Sequence, residues 1–153
     1  MADHLDTAIA DNAAARSELL QAVDAIPGQR RLETAMGEWS VKDVVAHLIG
    51  WQDGYAAALE AAAGGERPSI PGYEDDDSYN ARSVDAARGD SWEQVMGQLR
   101  TSRERYEAAI RGLRALPEDR WAAGRTLHRL SQMSTHEREH IAEILQWRQE
   151  QGL

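Results

Sequence analysis

The sequence predicts an all-α fold, a four-helix bundle with a long crossover between helices 2 and 3 and no sheet. Three observations point there. Alanine supplies 25 of the 153 residues, Val and Ile together supply 13, and Phe is absent. Such a composition favours helix over strand. Four stretches repeat apolar residues at three-to-four spacing, the period of an amphipathic helix. The links between them are short, long and short, as in a bundle with one crossover.

The first helix is expected over residues 3–26, with Leu5, Ile9, Ala13, Leu19, Leu20 and Val23 on one side and Pro27–Gly28 as its stop. The second, over 40–62, is the clearest. Ser40 is a natural N-cap, Asp43 completes an S-x-x-D start, and Val41, Val44, Val45, Leu48, Tyr55 and Leu59 form the stripe. Gly64–Gly65 ends it. A long connection follows to Asp90, holding Pro68, Pro71, Gly72 and the acidic run Glu74 to Asp77, with a short helix expected around Tyr79 to Ala87. The acidic run reads as a solvated loop. The third helix, over 91–114, starts at Ser91 and carries Trp92, Val95, Met96, Leu99, Tyr106, Ile110 and Leu113 inward, with Pro117 beyond. The fourth, over 126–150, turns Leu127, Leu130, Met133, Ile141, Ile144 and Leu145 to the core. No repeat or interdomain linker interrupts the pattern, so residues 1–153 read as a single domain.

Charge and composition narrow the function. The formal charge of −9 opposes the phosphate backbone, so nucleic acid is not an expected partner. No apolar run approaches the roughly 18 residues of a membrane span. The start, MADHLDTAIADN, has neither the basic region nor the apolar stretch of a secretory signal, and the cytoplasm is the expected address. With no cysteine, the chain has no thiolate zinc site, iron–sulfur cluster or thiol nucleophile of its own.

Five histidines remain as the chemistry-bearing residues. His136 and His140 stand at i, i+4, so their rings share one helix face. His47 lies mid-way along the second helix. A third imidazole from a facing helix would complete a three-ligand divalent-metal site with room for a further ligand. His4 and His128 read as exposed or capping residues. The run His136-Glu137-Arg138-Glu139-His140 satisfies H-E-x-x-H, but the third-ligand position of a metzincin holds Gln146 and its glycine position holds Glu143. A protease is therefore not expected.

Two segments carry a family resemblance: G-E-W-S-V-K-D-V-V-A-H-L-I-G-W, from Gly37 to Trp51, and H-E-R-E-H-I-A-E-I, from His136 to Ile144. With L-P-x-x-x-W from Leu116 to Trp121 in between, the chain resembles the DinB-like superfamily of four-helix-bundle metal-binding proteins. Its relatives include YfiT-type and ClbS/DfsB-type proteins and the N-terminal part of mycothiol-dependent maleylpyruvate isomerase. The resemblance implies a divalent ion, zinc or nickel, held by His47, His136 and His140. It also implies a homodimer, consistent with the alanine-rich surfaces at 56–58 and 61–63. A low-molecular-weight thiol as co-substrate, and a small-molecule substrate or ligand, belong to the same expectation.

Other residues follow from their positions. Glu143, one turn beyond His140, is the expected catalytic base or orienting carboxylate. Asp43, four residues before His47, is either the partner of that ring's other nitrogen or a helix-start carboxylate. Trp51 and Trp147 are candidate walls of the pocket, and Asn80, in D-D-S-Y-N-A-R, is a pocket candidate. Trp39, Trp92 and Trp121 read as packing residues. Two functional classes stand open: metal-dependent transfer or hydrolysis of the thiol-dependent detoxification type, and a non-catalytic dimeric metal- or ligand-binding stress-response protein.

Overall fold

Three reciprocal caps set the starts of the long helices in the computed structural model, which describes residues 3–153. Asp3 accepts from the Asp6 backbone at 2.8 Å and begins α1, His4–Asp24. Ser40 and Asp43 exchange bonds of 3.1 and 3.0 Å and begin α2, Val41–Ala63. Ser91 and Gln94 do the same at 3.1 and 2.7 Å at the start of α4, Trp92–Gly112. Each cap satisfies backbone donors that a helix start leaves orphaned.

The fold is all-α, with six α-helices among the described residues, against the four long helices and one short crossover helix expected. The two departures have separate causes. Within the crossover, α3, Asp76–Ala86, begins three residues earlier than expected. Asp75 caps it, accepting from the Ser78 backbone at 2.8 Å. The acidic run is thus a helix start, where the macrodipole favours carboxylates. The expected fourth helix is broken in two: α5, Thr126–Leu130, and α6, Met133–Gln151. The backbone groups freed at the break are bonded from neighbouring helices. Asn12 of α1 donates to the Ser131 carbonyl at 2.9 Å and accepts from the Ser134 N–H at 2.9 Å. The Tyr106 hydroxyl of α4 donates to the Leu130 carbonyl at 2.6 Å and accepts from the Met133 N–H at 3.3 Å.

The expected absence of any strand is corrected by one small ribbon. β1, Thr34–Met36, and β2, Trp39–Ser40, pair antiparallel about Gly37, whose φ of 60° suits glycine. Five strand residues, four of them paired, are too few to show a period.

Helix α1 packs chiefly on α6, and α2 chiefly on α4. Leu5, Leu19, Val44, Val45, Leu48, Leu99, Ile110 and Ile144 belong to one buried cluster. Two stripes need adjustment. In α1 the buried line runs through Ala8, Asn12 and Ala15, and Ala13 is exposed. In α6 Leu145 is 47% exposed, and Trp147 is buried in its place. Helix α3 lies on α2 at two glycines one turn apart. A Cβ at Gly50 would collide with the Ser83 side chain, and one at Gly54 would stand 2.6 Å from the Tyr79 hydroxyl. That close approach lets Tyr79 donate to the Gly50 carbonyl at 2.5 Å. Among the described residues no helix is long and apolar enough to cross a membrane.

Candidate metal centre

His47 points from the second turn of α2 toward the first turns of α6, where His136 and His140 stand. One ring nitrogen from each of the three lies within 4.8 Å of the others. His136 Nε2 is 2.9 Å from His47 Nε2 and 3.1 Å from His140 Nε2. Three imidazoles so placed cannot all be satisfied by one another, because a single Nε2 proton serves one neighbour. A tetrahedral ion with metal–nitrogen bonds of about 2.0–2.1 Å separates its ligand nitrogens by about 3.3 Å. Two of the spacings sit close to that value and the third lies within 4.8 Å, so the donor set fits a divalent ion.

Burial keeps two of the imidazoles, His47 and His136, in their ligating form. His47 is 4% exposed. Desolvation, aided by the neighbouring His140 and His136, pushes its pKa down to about 3, with Asn80 nearby acting the other way. Burial and His140 lower His136 as well. Both rings are neutral at neutral pH, as metal binding requires.

The surrounding side chains divide. Glu143, expected as a catalytic base, has its Oε2 3.2 Å from His140 Nδ1. Its carboxylate therefore sits at the edge of the ring away from the Nε2 cluster. With the Nδ1 proton directed to Glu143, His140 Nε2 presents a lone pair, the usual carboxylate–histidine arrangement at metal sites. Asp43 makes no comparable bond to His47. Its carboxylate is used in the α2 cap, and among the described residues the buried His47 Nδ1 has no hydrogen-bond partner. What lies against His47 instead is Trp39, read from sequence as a packing residue, with ring centroids 4.8 Å apart.

Two clefts of about 500 Å³ flank the cluster. One meets His47 and His136 and holds Trp51 and Asn80 in its wall. The Trp51 indole donates to Asn80 Oδ1 at 2.7 Å, which ties α3 to α2 beside the imidazoles. The other meets His140 and Glu143, and Trp39 and Trp147 line it. His4 and His128 stand apart from the cluster, their rings 5.3 Å from each other.

Beneath the cluster lies a polar network that sequence reasoning missed. Glu137 is 0% exposed. It pairs with Arg16 of α1 at 2.7 Å and with Arg103 of α4 at 3.0 Å. Gln52 of α2 accepts from Arg16 at 3.1 Å and from Arg103 at 2.8 Å. Four helices thus meet one residue along from His136. The signal was present in Glu137's position a quarter-turn from the histidines, which is the direction of the core.

The family model of the DinB superfamily matches residues 12–144, a span that includes all three histidines. No curated protein and no solved structure matches the chain significantly.

Proposed function

This chain belongs to the DinB superfamily, and we propose that it is a metal-dependent small-molecule transferase or hydrolase of the thiol-dependent detoxification type. The observation that carries the reading is the convergence of three imidazole nitrogens beside open clefts. His47, His136 and His140 would hold zinc or nickel, three protein ligands being the number at catalytic sites that keep a position open. A divalent ion there would supply Lewis-acid activation of a nucleophile, such as a low-molecular-weight thiol, that the cysteine-free chain cannot provide itself. Glu143 orients His140 through Nδ1. Trp51 and Asn80 shape the cleft in which a small molecule would lie, and Trp147 with Trp39 walls the opposite side. Homodimerisation and a role in stress response belong to the same reading.

The test begins with protein purified without a histidine tag. One equivalent of zinc or nickel per chain is expected, abolished by His47→Ala, His136→Ala and His140→Ala together and retained in His4→Ala and His128→Ala. No stoichiometric metal would overturn the proposal. Turnover of an electrophile panel with glutathione, mycothiol, bacillithiol or water supports the enzyme. Stoichiometric ligand capture without turnover would make the chain a binding module instead.

A further inference from the structure

The cleft at His47 and His136 has a chemical character beyond its metal donors. Its inner wall is Trp51, whose ring centroid lies 5.9 Å from Tyr55, 5.9 Å from Tyr73 and 4.8 Å from Tyr79. Trp51 also stands 6.3 Å from the His136 ring, so aromatic surface runs up to the imidazoles. Two carboxylates line the same cleft, Asp76 from the first turn of α3 and Glu139 from α6. The Tyr73 hydroxyl donates to Asp76 Oδ1 at 2.7 Å and fixes that side chain. Burial first, and then Asp76 and Glu139, raise the Tyr55 phenol.

The lining also holds one arginine, Arg129, which keeps its charge while it bonds neutral groups. Its guanidinium donates to the Gly124 carbonyl and, at 3.3 Å, to the Thr126 hydroxyl. His47 also lines the cleft and is deeply buried, and among the described residues its Nδ1 has no hydrogen-bond partner. The cleft therefore offers π faces, two carboxylates, one guanidinium and the imidazoles of His47 and His136. Cations are attracted to such faces, and most of all where water is excluded. With Arg129 counted, the lining carries two carboxylates and one guanidinium, which suits a ligand bearing charges of both signs better than a dianion.

We infer that this cleft takes a small zwitterion carrying a protonated amine, its ammonium held between Asp76 and Glu139 over Trp51 and Tyr55 and its anionic donor group turned to His47 and His136. The donor end rests on the metal reading proposed above; the amine end rests on the cleft alone.

The test uses the cobalt(II)-loaded full chain, whose visible spectrum reports thiolate binding, and three thiol pairs of increasing length. These are cysteamine and 2-mercaptoethanol, cysteine and N-acetylcysteine, glutathione and N-acetylglutathione. In each pair only the first member has a protonated amine. Preference for the amine of about 5- to 30-fold is expected. The double variant Asp76→Asn/Glu139→Gln should lose that preference and take up cobalt as before. Equal affinity within all three pairs, or a preference that survives the double variant, would overturn the inference and leave the metal reading standing. Failure of the protein to take up cobalt would overturn the metal reading and the donor end together.

Discussion

Glu137 and Glu143 show how two carboxylates on one helix come to different work. Glu137 is fully buried between two arginines. Removing one partner from a buried ion pair leaves the others uncompensated and costs about 3–5 kcal/mol. Urea unfolding of Glu137→Gln should show a loss of that order, with two guanidinium groups left facing an amide. Glu143 is about half exposed and bonds only the outer nitrogen of His140. Glu143→Gln should leave stability nearly unchanged but weaken metal affinity by about 10- to 100-fold, the usual effect of losing a carboxylate behind a ligating histidine. Competition with a chromogenic chelator would measure it; unchanged affinity would remove Glu143 from the site. At this scale the i, i+4 pair was legible because helix geometry alone joins His136 to His140. Asp43 was ambiguous because one position, a turn before His47, serves both a cap and a ring nitrogen. The Arg16–Glu137–Arg103 network was illegible because its members are separated by 87 and 34 residues along the chain, with no local period to link them.

Helix α3 is the element that most depends on a single close approach. It reaches α2 because Gly50 and Gly54 present no side chains to Ser83 and Tyr79. Gly50→Ala should push α3 outward while favouring α2 as a helix, since alanine is better than glycine there by about 1 kcal/mol. Hydrogen exchange should then quicken in α3 with little change in the amides of α1 and α6. Uniform exchange across all helices would contradict the local picture. The break between α5 and α6 was not readable for a related reason. Leu127, Leu130 and Met133 keep helical spacing across it, and the partners that stabilise the break, Asn12 and Tyr106, come from other helices. Periodicity reports which face is apolar, whereas the end of a helix depends on which groups receive its backbone. The long helices α1, α2 and α4 were legible to within two residues at either end because their caps and stops are local.

At the scale of the whole molecule, neutral buried histidines couple folding to pH. His47 has a folded pKa near 3 against an unfolded value of 6.5, and His136 is shifted in the same direction. Above about pH 6.5 both states are neutral, and these rings contribute no pH dependence. As pH falls below 6.5, the unfolded chain takes up protons that the folded chain refuses, so stability declines. The decline from His47 continues until its folded pKa is reached near 3, below which both states are protonated. Each such ring contributes at most about 1.4 kcal/mol per pH unit, and His47 alone should cost about 2 kcal/mol between pH 7 and pH 5. Denaturant titrations of the chelator-treated protein at those two pH values would measure the difference. His47→Asn should be less stable or equal at pH 7 but should lose most of this slope. The metal-loaded protein should hold its stability to lower pH, because an ion that binds only the folded chain opposes protonation of its ligands. A chelator-treated protein equally stable at pH 7 and pH 5 would mean that the imidazoles take up protons in place, and the buried, neutral cluster that makes the metal centre credible would be lost with it.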